Sequence, residues 1–440
     1  MGAIVGATTF GRNRSQLDRI PKLTWSTIPK LGAVDLRGHG RGGHQHPPRG
    51  ASKRSGPQSI PALDSVRAES RLDPTRRHHV AGTGSGEYRA PMVVVTGTLQ
   101  KEAWDRKVLP PVEQVRPGLW SIPVPIPNNP LRYVLVYALE LDGGGVALVD
   151  AGWNTDEAWT SLGDGLALAG GSISDVRAVL VTHIHPDHYG LAGRIRESSG
   201  AWIGLHPDDA IMLESRYGDT DQLVADMTHL LVDSGVPADK LPDLTLASMM
   251  MKSMVTMAEP DVFFEDEKAI ELPGWNLRTI WTPGHSPGHV CFYSEDRRLL
   301  LSGDHVLPRI TPNISVHTQQ FHNPLGDFLA SLLKVQNLGV DEVLPGHEYR
   351  FADLAGRLEE LIQHHADRLD EIEHVLREHP ASTAWDITLR LHWSRPWDEI
   401  ESFMQRQANG ETLAHCVLLE LHDRIHREGS DPARFSLAEG

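Results

Sequence analysis

The sequence predicts an α/β protein whose central part alternates short buried strands with helices. Three observations carry that expectation. Apolar runs ending near Gly, His or Asp recur between about residues 112 and 350, helical stretches separate them, and the periodicity turns helical after His347.

The segments YVLVYALEL (133–141) and GVALVDAG (145–152) read as adjacent strands joined by the Gly143-Gly144-Gly145 turn. A helix is expected over 156–169. VRAVLVTH (176–183) then reads as a buried strand running into a histidine-rich loop. AWIGLH, WNLRTIWTP, HVCFYS, RLLLSGD and DEVLPGH suggest further strands. Between 207 and 260 lies a long, mostly helical insertion with Met249, Met250, Met251, Met254 and Met257. These methionines suit either a helix packed on the core or a flexible apolar surface for an acyl group, and such an insertion commonly caps a site. Helical stretches at 352–379, 383–391 and 412–428 follow, and then GSDPARFSL as a turn and strand. Three helices and a final hairpin make a small winged-helix-like domain.

The chain thus divides into residues 1–91, 92–350 and 351–440. The first segment is rich in Gly, Pro, Ser and Arg, lacks periodicity, and reads as a disordered basic arm. It holds 15 Lys and Arg against 6 Asp and Glu, so of the formal charge of −16 the remainder carries −25. An acidic remainder argues against general affinity for nucleic acid or anionic membrane. Two cysteines, Cys291 and Cys416, supply no disulfide framework and read as small buried apolar residues. No apolar run reaches the ~18 residues of a membrane span, and no basic residue precedes the first apolar patch as in a signal peptide. A cytoplasmic location and no membrane partner are expected.

The loop VTHIHPDHYG (181–190) holds His183, His185, Asp187 and His188. Residues two apart in extended chain share a face, so His183 and His185 can aim together, while Asp187 and His188 follow the turn at Pro186. An open tetrahedral zinc site takes three protein ligands and a water. Four groups are too many for one such site and too few for two. TPGHSPGH offers His285 and His289, LLLSGDH offers Asp304 and His305, and VLPGHEY offers His347, each after an apolar run. A binuclear site is the economical reading.

The motifs HxHxDH at 183–188, TPGHSPGH, SGD and PGH, in this order and with LVDAG around Asp150, resemble those of the metallo-β-lactamase superfamily, with the metal ligand set of glyoxalase II enzymes. The resemblance covers about 112–350 and implies an αββα sandwich. It implies one metal on His183, His185 and His285, a second on Asp187, His188 and His347, and Asp304 bridging them. It makes His285 rather than His289 the ligand, His289 a loop-orienting histidine, and Asp150 a structural residue holding a ligand by hydrogen bonds. His206, His305, His317 and His322 divide between packing and the substrate pocket, and His364 and His365 fall on a helix face.

Two cations lower the pKa of a shared water and polarise a carbonyl or phosphoryl oxygen, so the expected reaction is hydrolysis with a metal hydroxide as nucleophile. Asp187 is expected to orient the water and pass its proton to the leaving group. Zinc fits the ligands, as do iron and manganese. The resemblance spans thioesters, lactones, β-lactams and phosphodiesters. The intact Asp304 argues against a true β-lactamase, His185 against diiron redox chemistry, and the tail against glutathione thioesters. A small acyl thioester or lactone is the first expectation, and single-stranded RNA cleavage the alternative, disfavoured by Glu371, Glu373, Glu399 and Glu401 in the tail. A non-enzymatic winged-helix binding protein would lack ligands, and none is missing. A homodimer through the C-terminal domain is compatible with this reading.

Overall fold

The computed structural model describes residues 93–218, 221–245, 253–320 and 322–438. The expected disordered arm at 1–91 and Met249, Met250 and Met251 lie outside the described residues. One sheet runs in the order β2 (Glu113–Arg116), β3 (Leu119–Pro125), β4 (Tyr133–Glu140), β5 (Val146–Val149), β6 (Val176–Leu180), β7 (Trp202–Leu205) and β8 (Val262–Phe263). The other runs β1 (Val94–Val95), β14 (Phe351–Ala352), β13 (Glu342–Pro345), β12 (Leu299–Gly303), β11 (Val290–Ser294), β10 (Trp275–Trp281) and β9 (Ala269–Leu272).

Strand alternation sorts side chains into layers. Leu135, Tyr137 and Leu139 of β4 meet Leu277, Phe292 and Leu301 between the sheets. Val134, Val136 and Ala138 face outward onto α2 (Asp156–Leu168) and α4 (Ala192–Ser199) through Leu162, Leu166 and Ile195. The run YVLVYAL is apolar throughout because both faces are buried. Outside the second sheet, Cys291, Leu300 and Val343 pack with Phe328 and Leu332 of α7 (Pro324–Val335) and Leu354, Leu358 and Leu361 of α8 (Leu354–Glu378). Helix, sheet, sheet and helix form an αββα sandwich followed by a helical C-terminal region.

Cys291 and Cys416 are both buried, free thiols. β3 escapes sequence reading because of its prolines. β2 pairs with β3 only as far as Ser121, so Pro123 and Pro125 lie where the strand has no partner on that side, and their missing N–H groups cost no ladder bond.

The insertion contains α5 (Pro207–Ala210), a π-helical turn Glu214–Gly218 and α6 (Asp221–Asp233); residues 255–260 have no regular structure. Thr256 N donates to Gly190 O there. A Cβ on Gly190 would sit 2.6 Å from Met254 O and 2.3 Å from Pro186 O, so the loop's terminal glycine permits this close approach.

In the C-terminal region, α9 (Ala384–Thr388) starts from Thr383 in a capping box with Asp386. α10 spans Ser402–Leu421, beginning earlier and ending earlier than the expected 412–428. Gly410 looks like a helix breaker in sequence. In the fold it lies inside α10, where a Cβ would come within 3.0 Å of Ser315. Asp423 takes a positive φ that turns the chain out of the helix, and Ile425–Glu428 forms β15, paired with β16 (Arg434–Leu437). Among the described residues, no helix is long and apolar enough to cross a membrane.

Candidate metal centre

Five chain segments reach the same edge of the sandwich. β5 leads to Asp150, β6 to the 183–188 loop, β10 to His285, β12 to Asp304 and β13 to His347. Backbone bonds tie the sheets together there: Val290 N donates to Thr182 O at 2.9 Å and Leu135 N to Gly346 O at 2.7 Å. Pro186 starts the one-turn helix α3 (Pro186–Tyr189), which carries Asp187 and His188 away from the extended His183 and His185.

The structure brings the seven expected ligands together. His183, His185 and His285 form one group; Asp187, His188 and His347 form another. Within each, the potential ligand atoms lie within 4.8 Å of one another. Asp304 stands between them, with Oδ1 at 3.5 Å from His188 Nε2 and 3.4 Å from His347 Nε2, and Oδ2 at 3.5 Å from His285 Nε2. Asp187 Oδ2 is 3.3 Å from His347 Nε2.

The surroundings aim these atoms. His188 Nδ1 donates to Asp150 Oδ2 at 2.7 Å, His285 Nδ1 to Asn313 O at 2.9 Å and His347 Nδ1 to Tyr133 O at 2.9 Å. With each Nδ1 held by an oxygen, each Nε2 is presented to the centre. Nε2 of His188, His285 and His347, and Oδ1 of Asp304, are buried and have no hydrogen-bond partner. Buried polar atoms are rarely left so. A Cβ on Gly346 would come within 2.7 Å of both Asp304 Oδ1 and His188 Cε1, so this glycine leaves room at the centre. His183 Nε2 and His185 Nδ1 meet each other at 2.9 Å, while three imidazoles and one carboxylate converge without partners, a donor set that fits divalent cations.

Electrostatics point the same way. Burial presses the pKa values of His183, His185 and His285 below the usual range. Burial also opposes charge on His188 and His347, but Asp150 and Asp304 hold His188 well above its ordinary value, and Asp304 and Asp187 hold His347 at about 10. Against the opposing effect of burial, His347 and His188 keep the Asp304 carboxyl well below the carboxylate range. The second half of the centre thus concentrates negative charge that demands a positive partner.

Other expected residues stay outside. His289 bonds Thr282 Oγ1 through Nδ1 at 2.8 Å and accepts from Asp304 N through Nε2 at 3.1 Å, and so holds the bridging loop. His206 caps α5 and stacks on Trp281. His305 is buried beside Phe328, and His317 accepts from Gln319 N. His322 is exposed, and His365 is buried against His415. Of the five methionines between 249 and 257, two are described: Met254 is half-buried and Met257 exposed.

Asp150 has φ +65° and accepts from Thr182 N at 2.8 Å, fixing β5 to the start of the ligand loop while it orients His188. Asp150→Asn is expected to lower metal affinity at the second half-site by about 10- to 100-fold with the fold retained, as read by metal titration.

Sequence reading missed Asp209. This fully buried carboxylate accepts from Ile184 N and Ser286 Oγ through Oδ2, both at 2.8 Å, and from Gly288 N through Oδ1 at 2.7 Å. It clamps together the two loops that carry His183, His185 and His285. Burial raises its pKa to about 6 against those bonds.

Comparisons with known proteins place the chain in a family of this fold. The family model described as the metallo-beta-lactamase superfamily matches residues 129–347. A metallo-beta-lactamase family protein from Thermus thermophilus is 33% identical, with a TM-score of 0.64, covering 74% of this chain and 100% of that one. A beta-lactamase domain protein from Burkholderia ambifaria is 27% identical, with a TM-score of 0.65, covering 74% of this chain and 94% of that one. The probable metallo-hydrolase YqjP of Bacillus subtilis is 26% identical over 301 residues, 66% of this chain and 89% of that protein.

Proposed function

Because the chain belongs to the metallo-β-lactamase superfamily and is a hydrolase of that fold, we propose that it uses two divalent metal ions to hydrolyse a carboxylic thioester or lactone. The observation that carries this reading is Asp304 facing both histidine groups across a centre of unpartnered buried atoms. The metals, zinc by ligand type, would activate water and polarise the carbonyl.

The chain's own residues do the rest. His183, His185 and His285 would hold one ion, and Asp187, His188 and His347 the other. His185 and Asp187 are the least deeply buried of the seven residues, which supports giving Asp187 the role beside the reacting water. It orients the water and transfers its proton to the departing sulfur or oxygen. A water oxygen joins the carbonyl carbon, the carbon–sulfur or ring carbon–oxygen bond breaks, and the products are an acid and a thiol, or a hydroxy acid.

The order of α8, α9, α10 and the β15–β16 hairpin favours a second reading, a winged-helix-like domain serving RNA cleavage. Residues 351–440 nevertheless hold nine Arg and no Lys against eighteen Asp and Glu. Glu371 and Glu373 are occupied by Arg368 and Arg424. Such a surface repels a phosphate backbone, so we assign this region to packing.

The test is a parallel assay of the metal-loaded full chain on acyl thioesters, lactones and single-stranded RNA. Thioester or lactone turnover that disappears in Asp187→Asn is expected. RNA cleavage lost in Asp187→Asn, with neither acyl substrate turned over, would overturn the reading.

A further inference from the structure

An open cavity of about 530 Å³ outside the metal centre is lined by Trp104, Asp105, Lys107, Pro130, Arg132, Arg309 and Arg395. That volume is within the range of small-molecule sites. Four cationic side chains around one cavity are unexpected in a chain of net charge −16. Asp105 is engaged by Lys101, and Arg309 by the buried Glu348. Among the described residues, no carboxylate pairs with Lys107, Arg132 or Arg395. Three positive charges therefore share the space without a described acidic partner, an arrangement that an entering anion would complement.

The guanidinium groups are held in place. Arg132 lies with Cζ 3.7 Å from the centre of the Trp104 ring and donates to Trp104 O at 2.9 Å. Arg309 stands 5.5 Å from the same ring. Lys107 and Arg132 both have positive φ, at 56° and 66°. Backbone in this region is disfavoured for non-glycine residues and clusters at ligand clamps. Aromatic stacking fixes the plane of an arginine fork, which suits the bidentate binding of phosphate.

The cavity and the metal centre are carried by the same segments. Tyr133, next to Arg132, receives the His347 Nδ1 hydrogen bond on its carbonyl. Glu348, next to His347, binds Arg309.

Resting on the hydrolase reading above, we propose that this cavity receives the phosphate of the substrate's leaving group, so that the substrate is an acyl thioester of a phosphorylated carrier thiol. A phosphate monoester carries roughly −1.5 to −2 at neutral pH, which matches several cations better than a single carboxylate does. Lys107 and Arg395 reach the anion from exposed positions, and Arg132 and Arg309 from the wall.

The test compares the acetyl thioesters of 4′-phosphopantetheine and of unphosphorylated pantetheine on the metal-loaded full chain. Binding of S-methyl-4′-phosphopantetheine and S-methylpantetheine, neither of which can be hydrolysed, is measured by calorimetry alongside. The phosphorylated compounds are expected to show a KM and a Kd at least about tenfold lower. In Lys107→Gln/Arg395→Gln, whose folding is checked by thermal melting, the phosphorylated thioester is expected to lose most of its kcat/KM advantage over its unphosphorylated counterpart, the remainder coming from Arg132 and Arg309. Equal kcat/KM and equal binding for the two forms in the unmodified protein would overturn the pocket while leaving thioester hydrolysis intact. Absence of turnover on both thioesters overturns the carrier-thiol assignment and leaves the hydrolase reading to the lactone arm of the parallel assay, whereas cleavage of single-stranded RNA that weakens in the double variant, with no acyl substrate turned over, overturns both readings.

Discussion

Asp304→Ala is expected to lower kcat/KM by on the order of 10³-fold or more, about 4 kcal/mol of transition-state stabilisation. The reason is its position. One oxygen faces His188 and His347, the other faces His285, and among the described residues no other carboxylate is grouped with both. Its removal takes a ligand from each ion at once, so metal content should fall together with activity. Conserving the carboxylate does not suffice. Asp304→Glu is expected to fail as well, because Gly346 leaves only the space where a Cβ would already touch Asp304 Oδ1. Metal analysis and steady-state kinetics on the same preparations read both effects. Full metal content with full activity in Asp304→Ala would contradict the bridging role.

The second large effect is on stability. Asp209→Ala is expected to lower the unfolding free energy by about 3–5 kcal/mol, since Ile184 N, Gly288 N and Ser286 Oγ lose their acceptor inside the protein. Metal affinity at the His183, His185 and His285 group should fall with it, because among the described residues no other side chain joins Ile184 to Ser286 and Gly288. The pH dependence has a definite sign. The folded pKa of about 6 lies above the usual value of an unfolded aspartate near 4. The native state therefore holds the extra proton, and its stability falls as pH rises from about 4 to about 6. Asp209→Asn should lose that slope. It regains only part of the stability, because the amide turns a donor toward a donor. Denaturant unfolding at pH 4.5 and pH 7 separates the two contributions.

Asp209 also marks the limit of what the sequence discloses. HPDDA shows two acidic residues opening a short helix, and nothing local distinguishes Asp208, half exposed, from Asp209, fully buried. The partners of Asp209 lie 25 and 77 residues away in chain. The ligands were legible for the opposite reason. Each candidate is a histidine or aspartate in the loop after an apolar strand, Pro186 records the turn within the first loop, and the choice of His285 over His289 came from the family resemblance. β4, with both faces buried, was plain from its unbroken apolar run. β3 was hidden by Pro123 and Pro125, whose positions depend on how far β2 extends. α10 was shortened in sequence by Gly410, which is there for contact with the 315–316 segment. The charged cavity was invisible because Lys107, Arg132, Arg309 and Arg395 share no motif and meet only in the fold.

The central claim is that this chain holds two metal ions on seven residues and hydrolyses acyl compounds through them. The direct measurement is metal content per chain by mass spectrometry, followed by titration of metal into chelated protein with thioester hydrolysis recorded at each step. Two equivalents bound per chain, with turnover absent after chelation and restored by zinc, is the result expected. Turnover that survives complete metal removal, or a plateau at one equivalent with full activity, would contradict it.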